Sequence, residues 1–512
     1  MSGSSFIQVG LYKSPIRVVA AFLFRSRETQ ARRAAEKGAE IQELKRIIEQ
    51  RQRLLVSQQQ ELADSNIRVA QLERENQRLR EAPIRLPDDP PLPHHQFGPR
   101  MICLCVNLAR AIGLRPTITC LEIVFEWLGV EVDLPDWTTV RTWLMRVGIA
   151  ALEESLEDAG DLVWFADHSN QIGQEKVLAI LGVNPSQLPP PGTALRHGDV
   201  RLLALLPGVS WNTENVANAY QALAGKIGVP VGLVVDGAVE LRDGAEILQK
   251  DGKGPIVLND FKHFAANVLK KIVGGSKAFD DFMSKIGSTR SAIQQTELGH
   301  FTPPTPRPKA RFMNLAAILT WAGMVLWHLS HPESRARHGI NAARMQEKLG
   351  WLETYRDDIP CWTACQDVVS QSITFVNEQG LSKGAADRLA AELEPLSKCA
   401  DSREVAQRLV TFVRESEEKL SEGQRLPLST EILESSFGLF KQLERQHTKG
   451  GFTSLLAAFG ALLKPATPES IRRDFARVSV KHMRKWVKDN LKTTLGSKRQ
   501  TAYAEFAKAT PI

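Results

Sequence analysis

Cysteine is scarce in this chain, with six in 512 residues and no two spaced as C-x-x-C. That argues against a disulfide-stapled extracellular scaffold and against a paired-cysteine zinc module. The six are expected to be reduced thiols, buried as small apolar side chains. Long apolar runs are also missing. The nearest approach, Val18 to Phe24, is short and bracketed by basic residues, so neither a membrane span nor a cleaved leader is expected. There is no G-x-x-x-x-G-K phosphate loop and no G-x-S-x-G nucleophile elbow. A large excess of one charge is absent too. The chain has 65 basic and 58 acidic side chains, a net charge of +7 and a pI near 9.0, which favours a polyanionic partner without requiring one.

What is present divides along the chain, which is too long for one compact core. After an N-terminal segment, 1–26, residues 27–82 are nearly free of Gly and Pro and crowded with Glu, Gln, Arg and Lys, a composition that predicts a long helix. Ile48, Leu55, Leu62, Val69 and Asn76 recur every seven residues, with Leu44, Leu72 and Leu79 at the companion position. This is a heptad seam, weakened midway by Arg51, Gln58 and Ser65, and it predicts a coiled coil in which Asn76 sets register. A single charged helix packed on its own chain is the other reading. Residues 83–98 are Pro-rich and predict an extended linker.

Residues 99–158 read as a compact helical unit resembling a helix-turn-helix. Asp136 is placed to cap the helix WTTVRTWLMRVG, whose Thr138, Thr139, Arg141, Thr142 and Arg146 would form a polar face for DNA, with Trp137, Val140, Trp143, Leu144 and Val147 as anchors. Plain helical packing explains the same pattern.

From about residue 159 the pattern changes. DLVWFADHS, EKVLAILGV and DVRLLALLPG are strand-like; a helical stretch, the strand VGLVVDG, a second helical stretch and the strand GPIVLND follow. The order βββαβαβ is that of an α/β RNase H-like domain, in which the first and fourth strands lie side by side. Asp167 would close the first strand and Asp236 the fourth. Two such carboxylates suit a pair of Mg²⁺ or Mn²⁺ ions assisting in-line attack on a phosphodiester. An Asp at a strand end is also a common turn residue.

Together Asp167, the VVDG holding Asp236, NDFKHF with Asp260 and His263, and STEILESSFGLFKQ with Glu434 resemble the DDE transposases of bacterial insertion-sequence type, related to Mutator-like elements. The resemblance spans roughly residues 160–465. It implies Asp167, Asp236 and Glu434 as the metal-binding triad and Asp260 and His263, the Asp-x-x-His motif, as supporting residues. It further implies an RNase H-like core split into 159–275 and 426–465 by an all-helical insertion, 276–425, and an activity of metal-dependent strand cleavage and strand transfer at element ends. Glu431 stands where this group usually has Asn, and it remains an alternative third acid, one helical turn from Glu434. His168 is expected to point to the opposite face of its strand from Asp167.

The remaining cations are candidate phosphate contacts. They are Arg307, Lys309 and Arg311 in the insertion, Lys441, Arg445 and Lys449 after Glu434, and a basic tail at 466–512. The expected partners are double-stranded DNA, as element ends and target, and a second copy of the chain in a homodimer or higher even oligomer; the resemblance and the lack of a targeting signal imply a bacterial cytoplasm. An RNase H-like nuclease without strand transfer, and a decayed DNA-binding or assembly protein, are the competing readings.

Overall fold

One helix, α1 (Ile16–Glu81), accounts for most of the first of two compact units, 1–86 and 87–512. The structure is a computed structural model that describes residues 16–81, 86–154, 161–172, 175–209, 211–249, 254–306, 315–337, 339–446, 453–491 and 500–506. α1 begins eleven residues earlier than the sequence pattern indicates and takes in the Val18–Phe24 patch, because no Gly or Pro interrupts the chain there. Leu44, Ile48, Leu55, Leu62, Val69 and Leu72, the seam positions, are all exposed.

The second unit opens with α2 (Pro99–Ile112), α3 (Leu114–Leu128) and α4 (Trp137–Leu152). Asp136 caps α4 as expected, accepting from Thr138 N at 2.8 Å. The recognition-helix reading of α4 is corrected for its second half. Every residue from Trp143 to Ala150 is buried, and Gly148 lies so close to a 3-10 run at Ser454–Leu462 that a Cβ there would stand 2.1 Å from the Ala457 carbonyl oxygen. That half of α4 has no face for a DNA groove, whereas its first turns are open, with Thr138 exposed and Thr139, Arg141 and Thr142 half-buried.

The sheet follows: β1 (Val163–Ile172), β2 (Glu175–Val183), β3 (Arg201–Gly208), α5 (Thr213–Ile227), β4 (Gly232–Val235), α6 (Val239–Gln249) and β5 (Ile256–Asn259). Its order is β3-β2-β1-β4-β5; β1 to β3 are antiparallel, and β4 and β5 run parallel to β1. Alternation along β1 divides the core. Trp164 and Ala166 pack with Tyr220 of α5 and Leu241 of α6 on one face, while Val163 and Phe165 join the larger core of the helices on the other. The fold is therefore α/β at the sheet and all-α around it.

The 276–425 stretch is helical, as expected. Preceded by α7 (Phe261–Ile272), it holds α8 (Lys277–Ile293), α9 (Leu315–Ser330), α10 (Pro332–Arg337), α11 (Ala342–Leu349), α12 (Asp358–Gln379), α13 (Ala385–Leu393) and α14 (Ala400–Glu417). A two-residue ladder, β6 (Leu381–Ser382) with β7 (Arg425–Leu426), closes it before α15 (Glu431–Arg445). The C-terminal stretch is not a loose basic tail over its described part. α16 (Pro468–Arg477) and α17 (Val480–Asn490) bury Ile471, Phe475, Val478 and Met483 against α2 and α4.

Two cysteines also depart from expectation. Cys361 and Cys399 form a disulfide, Cα to Cα 5.8 Å. Cys105 and Cys365 are buried thiols as expected, each pushed up to about 12 chiefly by burial.

Candidate carboxylate site

The parallel register of β1 and β4 ends at Ala166 opposite Val235, so Asp167 and Asp236 come next, side by side. Asp167 does not close its strand, since β1 continues to Ile172. Asp236 does leave its own, through a turn in which Gly237 takes φ 89° and the Asp236 Oδ1 accepts from Ala238 N at 2.7 Å. Only a glycine adopts that φ without strain. Asp167 is buried, with its Oδ1 accepting from its neighbour's amide, His168 N, at 2.6 Å. Burial, and then the adjacent Asp236, push the Asp167 carboxyl up to about 8. Two carboxylates so placed hold less than two negative charges at neutral pH unless a cation joins them. His168 turns to the other face, as expected, with Nδ1 3.7 Å from Glu240 and its ring beside Trp211.

The second half of the site is built on helices. Asp260 follows β5, its N–H donating to the Val235 carbonyl at 2.7 Å, and it caps α7 by accepting from Lys262 N and His263 N. The same fully buried carboxylate accepts from Thr430 N at 2.9 Å, the residue before α15. Phe261 N donates to Leu428 O at 2.9 Å beside it. One side chain thus ties together the starts of α7 and α15. Burial alone would raise its pKa, but hydrogen bonds from His263 and from the amides of Thr430 and His263 hold it below the usual carboxylate value.

His263 pairs with Asp260 through Nδ1 at 2.5 Å and faces Glu434 through Nε2 at 3.7 Å. The Asp260 hydrogen bond, against the opposing effect of burial and with help from Glu434 and Asp236, raises it to about 9, so the imidazolium form predominates at neutral pH. Lys262 lies between the two candidate third acids, 2.8 Å from Glu434 Oε2 and 3.3 Å from Glu431 Oε1. Burial would lower its pKa, yet those two carboxylates raise it. The two glutamates part company beyond Lys262. Glu434 turns to His263, whereas Glu431 accepts from Asn377 Nδ2 of α12 at 2.5 Å. Among the described residues, an acid-and-histidine group with ligand atoms all within 4.8 Å is Asp260, His263 and Glu434. Asp167 and Asp236 form a neighbouring pair linked to it electrostatically through His263.

Residues that sequence reasoning overlooked are Lys262, Asn377 and Tyr220. The Tyr220 hydroxyl is buried behind the aspartates with no hydrogen-bond partner among the described residues, and burial, Asp236 and Asp167 together raise its pKa far above normal. Lys262 sits inside the quoted NDFKHF motif. Nothing in that motif announces an ammonium bridging two glutamates far along the chain.

The proposed DNA contacts fare unevenly. Arg146 is corrected, being 3% exposed and stacked on Phe475, with its guanidinium donating to the carbonyls of Val478 at 2.8 Å and Phe475 at 3.0 Å. It is a strut holding α16 to α4. Arg141 is half-buried and donates to Ser454 Oγ; Thr142 donates to Thr138 O at 2.9 Å and Thr138 to Asp136 at 2.5 Å, while Thr139 is half-buried. Lys441 and Arg445 are exposed on α15. Lys449, Arg307, Lys309 and Arg311 lie outside the described residues.

No protein-family model matches the chain, and no curated protein does. Among solved structures it is similar to the Drosophila P element transposase strand transfer complex, at 13% identity and a TM-score of 0.37, covering 72% of this chain and 92% of that one. A likeness of that size is too slight to carry fold or function, and both rest on the geometry above.

Proposed function

We propose that the chain is a DNA transposase of the DDE type, acting on double-stranded element ends and target DNA. In this reading 159–275 and 426–465 are the two parts of an RNase H-like core divided by the helical segment 276–425. Asp167, Asp236 and Glu434 would hold Mg²⁺ or Mn²⁺. The observation that carries the reading is the juxtaposition of Asp167 and Asp236 on adjacent parallel strands, with α15 packed against β1 and its Glu434 directed to the same end of the sheet through His263. The donor set fits hard divalent ions, being carboxylate oxygens in which burial and the adjacent Asp236 disfavour ionisation of Asp167 unless a cation offsets them. When bound, such ions activate the attacking oxygen and neutralise the leaving one.

The protein's own groups prepare that site. Asp260 fixes α7 and α15 relative to β4 and β5, and so sets where Glu434 stands. Lys262 and the protonated His263 keep Glu434 neutralised and oriented, and they offer positive charge to a DNA phosphate entering the cleft. Glu434 is preferred over Glu431 because Glu431 is engaged by Asn377, away from the aspartates. Glu434 must loosen from Lys262 to share an ion with them. Lys441 and Arg445, exposed further along α15, are proposed backbone contacts. The exposed apolar seam of α1 is proposed to pair two copies as a parallel coiled coil, bringing two element ends into one assembly.

The test is Mg²⁺- or Mn²⁺-dependent cleavage and joining of DNA carrying the element's flanking ends, with Asp167→Asn, Asp236→Asn and Glu434→Gln beside the unaltered chain. Each variant is expected to bind DNA and to lose cleavage by about a thousandfold or more. Normal cutting by Glu434→Gln with none by Glu431→Gln would transfer the third position to Glu431. Cutting without joining would reduce the assignment to a nuclease, and full activity in all three variants would remove it.

A further inference from the structure

Away from the carboxylates, α12 and α14 pack on each other and bring three cysteines to one point. Cys361 and Cys365 lie one helical turn apart on α12, on one face. Cys399 caps the N-terminus of α14, where its Sγ accepts from Ser402 N at 3.4 Å. The three sulphurs lie within 4.8 Å of one another. Asp401, in the first turn of α14, places Oδ2 3.8 Å from the Cys361 Sγ, beside the three sulphurs though outside their 4.8 Å group. A Cys361–Cys399 cystine uses two of the three sulphurs and leaves the Cys365 thiol, packed in the core, beside it.

We propose that, with the disulfide reduced, Cys361, Cys365 and Cys399 hold a soft divalent cation of the Zn²⁺ class, the neighbouring Asp401 side chain turning in as the fourth donor. Sulphurs on such an ion stand roughly 3.8 Å apart, given Zn–S bonds of about 2.3 Å, within the span already present. Four protein ligands with no open position make the site structural rather than catalytic. Reduction takes two electrons and two protons from a cellular dithiol, which itself becomes a disulfide; cation binding then releases the thiol protons. The ion would clamp α12 to α14. Both helices pack on α7, and α12 also carries Asn377, so the clamp braces the helices that hold Lys262, His263 and Glu431. This site is separate from the oxygen-rich centre and does not rest on the transposase reading. The C-x-x-x-C spacing and the distant third cysteine hide it from a search for C-x-x-C pairs.

The experiment uses the full chain, reduced with a phosphine and freed of metal, then titrated with Zn²⁺ or Co²⁺. One tightly held Zn²⁺ per chain is expected. Co²⁺ should give an intense thiolate charge-transfer band in the near ultraviolet and tetrahedral visible bands. Stoichiometric binding should be lost in Cys365→Ser and Cys399→Ser and kept in Cys120→Ser, with altered visible bands in Asp401→Asn. Zn²⁺ should also raise the melting temperature of the reduced chain in the presence of excess Mg²⁺. No retained Zn²⁺ in the reduced unaltered chain overturns the proposal whatever the variants do, as does full stoichiometry in Cys365→Ser. A disulfide that resists reduction until the chain unfolds identifies a permanent cystine and overturns it equally.

Discussion

The two halves of the carboxylate site are made differently. On the strands, Asp167 and Asp236 are like charges pressed together, and Asp167 is held protonated by burial and by its neighbour. On the helices, Asp260, His263, Lys262, Glu434 and Glu431 alternate in sign, each within 2.5 to 3.7 Å of an opposite charge. In one half a carboxyl is relieved only by taking up a proton; in the other every carboxylate has a cation beside it. A buried charge without a partner costs stability, and native proteins keep such groups mainly where a ligand will supply the missing charge. The strand half is thus the place where a cation is wanted, and the helix half is the frame that puts Glu434 within its reach.

That contrast can be broken by substitution. The largest effect is expected from Asp260→Ala, which strips acceptors from three amides and leaves His263 without its ion-pair partner; by analogy with breaking a buried pair, about 3–5 kcal/mol of stability should be lost in chemical denaturation. Asp167→Asn should do the reverse in chelator at pH 8 to 9, raising the melting temperature there, because it removes the carboxyl whose ionisation the fold disfavours. A destabilised Asp167→Asn would show the two halves to be alike.

Next in size is the pH dependence without divalent ions. Asp167 is raised from its ordinary 3.8 to about 8, so the folded state binds the extra proton and stability falls as pH rises across that window. His263 is raised from 6.5 to about 9, and its contribution is whole below 6.5 and lost as pH climbs through 9. Both act in one direction. Melting temperature in chelator should decline from pH 6 to 9, and Mg²⁺ should flatten the decline; a flat profile without Mg²⁺ would contradict the assigned charge states. The smallest effect belongs to Lys262→Met. Freed from its ammonium partner, Glu434 should bind a cation more readily, so the Mg²⁺-induced rise in melting temperature should exceed that of the unaltered chain. An equal or smaller rise would show that Lys262 does not compete for Glu434.

Much of this contrast was legible in the sequence, though unevenly. Asp167 and Asp236 could be paired because strand patterning has period two and a parallel β1–β4 neighbour follows from element order. Spacing alone could not separate Glu434 from Glu431, since both lie on one face of one helix; the motif resemblance preferred Glu434, and the tertiary positions of Asn377 and His263 set the two apart. Arg146 misled for a related reason. An arginine in an amphipathic pattern reads as exposed, but carbonyls left open at the end of α16 gave its guanidinium buried partners. The cysteine cluster was invisible because its third member comes from another helix. Long-range partners of this kind leave no period in the sequence, whereas strands and caps such as Asp136 do.

The double cap made by Asp260 also bears on how the chain is built on the ribosome. Its acceptor atoms wait for Thr430, 170 residues later, and at a synthesis rate of about 5–20 residues per second that is roughly 10–30 s during which the buried Asp260 carboxylate lacks one of its donors. Nascent chains ending between residues 260 and 430 are therefore the ones in which chaperone occupancy should peak, falling once α15 emerges.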